Sequence, residues 1–121
     1  MSYYGMASEY PEGYCPYFHQ TIELIGRRWT GAIFLAVYNG TEHFGDIRSA
    51  IPGLSDRLLC ERLTELGAAG IVERRTDGRS VSYTVSPKGQ ALGEALVDLQ
   101  GWAHEWVYKA SDGKASAVPV E

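Results

Sequence analysis

A chain of 121 residues with 45% hydrophobic and 21% charged residues holds one domain with its own core and leaves little room for an elaborate enzyme site. No apolar run reaches membrane-spanning length and no cationic-then-apolar leader opens the chain, so a cytoplasmic protein is expected. Two cysteines do not make a secreted disulfide scaffold, and both are expected as thiols.

Residues 1–14 are polar and tyrosine-rich without helical or strand period, and read as an arm that orders only if Tyr3, Tyr4, Tyr10 and Tyr14 find something to pack on. A first helix is predicted from Pro16 to Ile25, with Phe18, Ile22 and Ile25 on one face and Gly26 at its end. From Arg28 to Tyr38 the residues Trp29, Ile33, Phe34, Leu35 and Val37 leave almost no polar side, which predicts a central, buried helix closed by Asn39-Gly40. Phe44 to Ala50 makes a short helix. Ile51-Pro52-Gly53-Leu54 then breaks the chain, and Ser55 caps a second helix that ends in Gly67-Ala68-Ala69-Gly70.

A strand from Ile71 to Arg75, a hairpin turn at Asp77-Gly78 and a returning strand from Ser80 to Val85 follow. Ser86 and Pro87 open a last helix as cap and first-turn proline. Along it Leu92, Leu96, Leu99, Ala103 and Trp106 recur at spacings of four, three, four and three, a seam for a partner helix that Trp102 widens. Residues 110–121 turn to Ser, Gly, Ala and Pro and read as a disordered tail. The expected unit is therefore residues 15–109, mainly α with one small β-hairpin.

A helix, a tight turn, a second helix and a basic hairpin together form a winged helix-turn-helix, whose dominant use is gripping duplex DNA. On a helical wheel the second helix buries Leu59, Leu63 and Leu66, with Leu58 at the flank, and presents Arg57, Cys60, Glu61 and Thr64 on the opposite side. Those four, led by Ser55 and Asp56, are the candidates for base edges. Arg57 suits a guanine contact or a phosphate clamp, and Glu61 suits a cytosine amino group or the repulsion of phosphate. Arg62 sits beside the apolar face, where a structural hydrogen bond or ion pair competes with a DNA role. Arg48 on the first helix is a further DNA-binding candidate. Arg74, Arg75 and Arg79 around the hairpin, which alone would read as a solvated charged turn, become candidates for phosphate or the minor groove after such a helix.

Charge supports this through its distribution. From Arg27 to Lys88 nine Lys/Arg face seven Asp/Glu, or +2, while the rest of the chain holds two against eight, or −6, which together give the net −4. The acidic total and the short hairpin keep a second possibility open, a winged helix that binds a protein partner without touching an operator.

The ordered segments Cys15-Pro16, Leu24 to Thr30, Phe44 to Arg48, Ile51 to Ser55, Arg62 to Leu66, Gly70 to Arg74 and Tyr83 to Gly89 resemble the HxlR-type winged-helix regulators, a bacterial group related to MarR. The resemblance covers the chain from Cys15 to Trp102. It implies a homodimer assembled through N- and C-terminal helices, here Phe18 and Ile22 with Leu92, Leu96, Leu99, Trp102, Ala103 and Trp106, bound to a pseudo-palindromic operator as repressor or activator. Some members sense electrophiles or oxidants through a cysteine near the N-terminus, a position that Cys15 matches. Two departures stand out: the hairpin is short and lacks a proline-containing tip, and Cys60 occupies a position that is often threonine or another polar residue.

As a small buried hydrophobe Cys15 needs no chemistry, as most free cysteines do not, whereas a thiol sensor requires a stabilised thiolate. The helix start at Cys15 supplies one favourable condition, and Arg27 or Arg28 are the candidates for a nearby cation. Cys60, on the DNA side, would block binding if oxidised, although a tolerated polar-surface substitution is the simpler reading. Cys15 and His19 are one helical turn apart but lack a third orienting group, so no enzyme is expected. His43 and His104 stand alone without metal-ligand spacing, and neither a metal nor a cofactor is expected. A small-molecule effector between dimer helices beside Trp29 is a further possibility.

Overall fold

The computed structural model describes residues 13–111. The arm predicted at 1–14 lies outside the described residues apart from Gly13 and Tyr14, and the tail from residue 112 onward lies outside them as well. The elements are α1 (Pro16–Ile25), α2 (Thr30–Tyr38), α3 (Phe44–Ala50), α4 (Asp56–Ala68), β1 (Val72–Asp77), β2 (Ser80–Val85) and α5 (Pro87–Ala103). A π turn at His104–Tyr108 and a 3-10 turn at Lys109–Ser111 extend α5.

The apolar-all-round helix is the centre of the domain. Ile33, Phe34 and Val37 of α2 are buried together with Ile47 of α3, Leu59, Leu63 and Leu66 of α4, Ile71, Val72 and Leu96. Each such side chain contributes about 1.5–3 kcal/mol by leaving water. The helix starts two residues later than the sequence predicts, because Trp29 takes a left-handed conformation (φ 76°) and turns the chain before α2 begins. No periodicity argument reveals such a residue, since left-handed backbone in a tryptophan is held only by its tertiary surroundings.

Local caps agree with the sequence. Ser55 Oγ accepts from Leu58 N and Ser86 Oγ accepts from Gly89 N, each closing a free N–H of a helix's first turn. Between α3 and α4, Gly53 (φ 84°) makes the reversal that sets the two helices across each other, with Ile51 and Leu54 buried on either side.

The strands pair antiparallel from Val72↔Val85 to Asp77↔Ser80. The two-residue loop is consequently Gly78-Arg79, not Asp77-Gly78. Gly78 alone has positive φ (64°), the pattern of a type II′ turn, which places glycine first and leaves Arg79 at the tip. The wing is tied to the helices on its other edge, where Tyr83 N donates to Glu42 O at 2.8 Å and His43 Nδ1 bonds Val81 O at 3.1 Å.

Helix α5 packs close enough that Gly89 has no space for a side chain. A Cβ there would run into the Ile71 carbonyl and press on Val85. Gly89→Ala is expected to lower stability by about 1–3 kcal/mol despite its better helix propensity, because backbone must yield. Urea unfolding at constant m value would check this.

Candidate nucleic-acid interface

Helix α4 divides as an amphipathic helix should. Leu59 and Leu66 are fully buried, Leu63 nearly so, and Arg57, Cys60, Glu61 and Thr64 are exposed on the other side together with Ser55 and Asp56 at its start. Thr64 Oγ1 turns back onto the Cys60 carbonyl at 2.9 Å, the habit of a threonine inside a helix.

Three of the candidate arginines already hold carboxylates on the same surface. Arg57 Nε lies 3.2 Å from Glu61 Oε2, Arg48 Nε 3.2 Å from Asp56 Oδ1, and Arg75 Nη2 3.5 Å from Glu73 Oε1. All are exposed pairs, screened by solvent and individually worth little stability. Arg48 is thereby brought from α3 to the start of α4, which unites the two helices in one surface. Arg74 and Arg79 on the wing have no ion pair among the described residues.

Arg62 belongs to the interior. Its side chain is 8% exposed, Nε donates to the Arg28 carbonyl at 2.9 Å and Nη1 donates to Glu65 Oε2 at 3.3 Å. Arg27 Nη1 meets the same Glu65 oxygen at 2.9 Å. The turn between α1 and α2 is thus fastened to α4 by two arginines around one carboxylate. The sequence signals for Arg62 were its place beside the leucine face and the i,i+3 spacing to Glu65; nothing in the sequence pointed to the Arg28 carbonyl.

That fastening changes the reading of Cys15. Arg27 is committed to Glu65 and the Arg28 guanidinium lies over the Trp29 ring at 5.4 Å, both at the far end of α1, about 15 Å of helix away. Neither serves as a cation for the thiol. What Cys15 does have is its place as cap of α1: its half-buried Sγ accepts from Phe18 N at 3.5 Å. Trp29 is likewise used elsewhere, since its ring lies beside Gly53 in the turn between α3 and α4. It does not line the apolar groove of about 220 Å³ bounded by Ile25, Leu35, Leu96 and Leu99.

On α5 the seam splits. Leu96 is buried and Leu92 packs against the same core, so both side chains are committed within the chain. Leu99, Trp102 and Trp106 are exposed and Ala103 is half-buried. The π turn after Ala103 adds a residue to the turn and moves Trp106 out of the predicted period. On α1, Phe18 and Ile22 are exposed as well. Among the described residues no group of His, Cys, Asp and Glu is arranged to hold a metal ion, and no helix is long and apolar enough to cross a membrane.

A buried helix-turn-helix with a polar outward α4 and a strapped two-stranded wing defines a winged-helix transcriptional regulator, a DNA-binding class and not an enzyme. The chain belongs to the HxlR family: residues 24–111 match the HxlR-like helix-turn-helix. It is 35% identical over 96 residues to the HTH-type transcriptional regulator YvaP of Bacillus subtilis, covering 77% of this chain and 89% of YvaP. It is 36% identical over 95 residues to the regulator YodB of the same organism, covering 76% of this chain and 85% of YodB. The structure of reduced YodB superposes with a TM-score of 0.68 at 35% identity, covering 78% of this chain and 95% of that one. Quinone-bound YodB gives 0.66 at 36% identity over 77% and 100%. The redox regulator HypR in its oxidised form gives 0.68 at 28% identity over 75% and 96%.

Arg62→Lys is expected to cost about 1–3 kcal/mol, because a single ammonium cannot reproduce the fork that meets both the buried Arg28 carbonyl and Glu65. A loss of DNA affinity at unchanged urea midpoint would instead return Arg62 to the DNA-contacting set.

Proposed function

We propose that this regulator acts as a homodimer that reads a pseudo-palindromic operator, as repressor or activator, with an input from thiol-reactive or small-molecule effectors. The observation that carries the DNA reading is α4 itself, sealed by leucines inside and presenting Ser55, Asp56, Arg57, Cys60, Glu61 and Thr64 outside. In a two-fold dimer two such helices enter successive major grooves about 34–36 Å apart. Arg48, Arg74, Arg75 and Arg79 flank that surface and take the phosphates or the minor groove.

Dimerisation is supported by apolar side chains that the chain leaves in water. Phe18 and Ile22 on α1 and Leu99, Trp102 and Trp106 beyond the core-facing part of α5 are large hydrophobics without a buried partner surface. Ala103 joins them as a small contact, while Leu92 and Leu96 contribute by fixing α5 on the domain.

Cys15 is the proposed thiol input. The relatives YodB and HypR are described in quinone-bound and oxidised forms, and here Sγ caps the helix that carries Phe18 and Ile22. A substituent on Sγ removes an acceptor from the start of α1 and adds bulk beside that apolar face.

In gel-shift titrations on a site selected from random duplexes, Arg57→Ala is expected to lose or relax sequence selection. Arg79→Ala is expected to weaken binding to all sequences and to reduce the salt slope by about one. Wild-type behaviour of both would refute the groove assignment, and no affinity for random duplex at low salt with dimerisation intact would favour a protein-binding winged helix. For the input, diamide or a quinone is expected to change wild-type DNA affinity and to leave Cys15→Ser unaffected; an equal response of the two removes Cys15 as the switch.

A further inference from the structure

The proposed reading arginine does not project from α4 unsupported. Arg57 has a side chain that is 88% exposed, and its guanidinium is held at one point, Nε to Glu61 Oε2 at 3.2 Å. That contact uses the one N–H that points back along the side chain. The terminal Nη1 and Nη2 take no partner among the described residues, and these form the fork that pairs with O6 and N7 of guanine.

Glu61 is supported from behind in turn. Its other oxygen, Oε1, lies 3.7 Å from Nη1 of Arg62, and Arg62 is buried and bonded to the Arg28 carbonyl and Glu65. A continuous polar chain therefore runs from the turn between α1 and α2, through the interior, to the outermost guanidinium of α4. Helix stability gives only a weak reason for the last link. Arginine preceding glutamate at i,i+4 is the weaker orientation of such a pair, and Glu61 lies beyond the first turn, where the helix dipole would favour it.

We propose that Glu61 is a positioning residue that braces Arg57 through Nε, so that its Nη1/Nη2 fork is presented ready to read a guanine in each half-site. Both carboxylate oxygens of Glu61 are turned toward arginines. Bracing lowers the ordering cost of the reading side chain, and the carboxylate keeps Arg57 from settling on phosphate. Both effects raise discrimination and neither raises general affinity.

The inference rests on the groove reading of α4, and the test separates the two. Wild type, Glu61→Ala and Glu61→Gln are each used to select from a pool of random duplexes, and binding to the wild-type site and to random duplex is then titrated. Both variants lose the same charge, but only glutamine retains an oxygen that accepts from Arg57 Nε. Wild type is expected to enrich guanine at one position per half-site. Glu61→Ala is expected to lose that guanine, with the ratio of selected-site to random affinity falling on the order of tenfold. Glu61→Gln is expected to keep the guanine while binding random duplex more tightly. Because Glu61 is exposed, an unchanged thermal melt verifies folding. If Glu61→Ala enriches the wild-type guanine, or if both variants lose it equally, the brace is refuted. If wild type enriches no sequence, the groove reading itself falls.

Discussion

The buried guanidinium of Arg62 is the joint from which the outward surface of α4 hangs. Leucines at 59, 63 and 66 decide which side of α4 faces inward, but an apolar face alone lets a helix slide or rotate on a smooth core. Arg62 removes that freedom. It meets a backbone carbonyl on one side and a carboxylate on the other, and a planar fork satisfied in two directions tolerates little displacement. The same joint pulls in the turn between α1 and α2, where Arg27 shares Glu65 and where left-handed Trp29 lies beside Gly53 in the turn before α4. The orientation of the outward face and the end of α1 are therefore parts of one packed unit. A disturbance of α1 has a short covalent and hydrogen-bonded route to the outward face of α4.

The electrostatics of that surface differ from those of a general nucleic-acid binder. Arg48, Arg57, Arg74, Arg75 and Arg79 give +5, and Asp56, Glu61, Glu73 and Asp77 give −4, so the face carries about +1. Three of the arginines are engaged by three of those carboxylates. Counter-ion release, the main source of sequence-independent affinity, is correspondingly small, and the net −4 of the chain adds no long-range attraction. The unpaired charge is carried by the wing, at Arg74 and Arg79, and the wing is held at its outer edge by Glu42 and His43.

The C-terminal helix combines two roles that its regular spacing presented as one. Its first half is pressed onto the core at Gly89, Leu92 and Leu96, where a glycine permits close approach to the Ile71 carbonyl. Its second half, from Leu99 onward, borders the groove beside Ile25 and Leu35 and carries its tryptophans in water. The π turn at His104–Tyr108 comes later, and its added residue shifts the phase of the seam beyond Ala103.

Much of this was legible in the residues themselves. Periodicity of 3.6 separated the leucine side of α4 from Arg57, Cys60, Glu61 and Thr64, serines marked both helix starts, and glycine-containing turns marked the reversals. These are local signals, written within a few residues of the structure they produce, and they are enough to specify a winged helix-turn-helix. What only the tertiary structure decided is which long side chains meet. Arg62 with the Arg28 carbonyl, Arg48 with Asp56, Trp29 with Gly53 and the commitment of Leu96 to the chain's own core depend on separations that no sequence period encodes. A flexible charged side chain reaches partners on several elements, and a seam leucine looks the same whether its partner is this chain or another. The partners are settled only when the helices have packed, since burial then makes every unpaired donor costly.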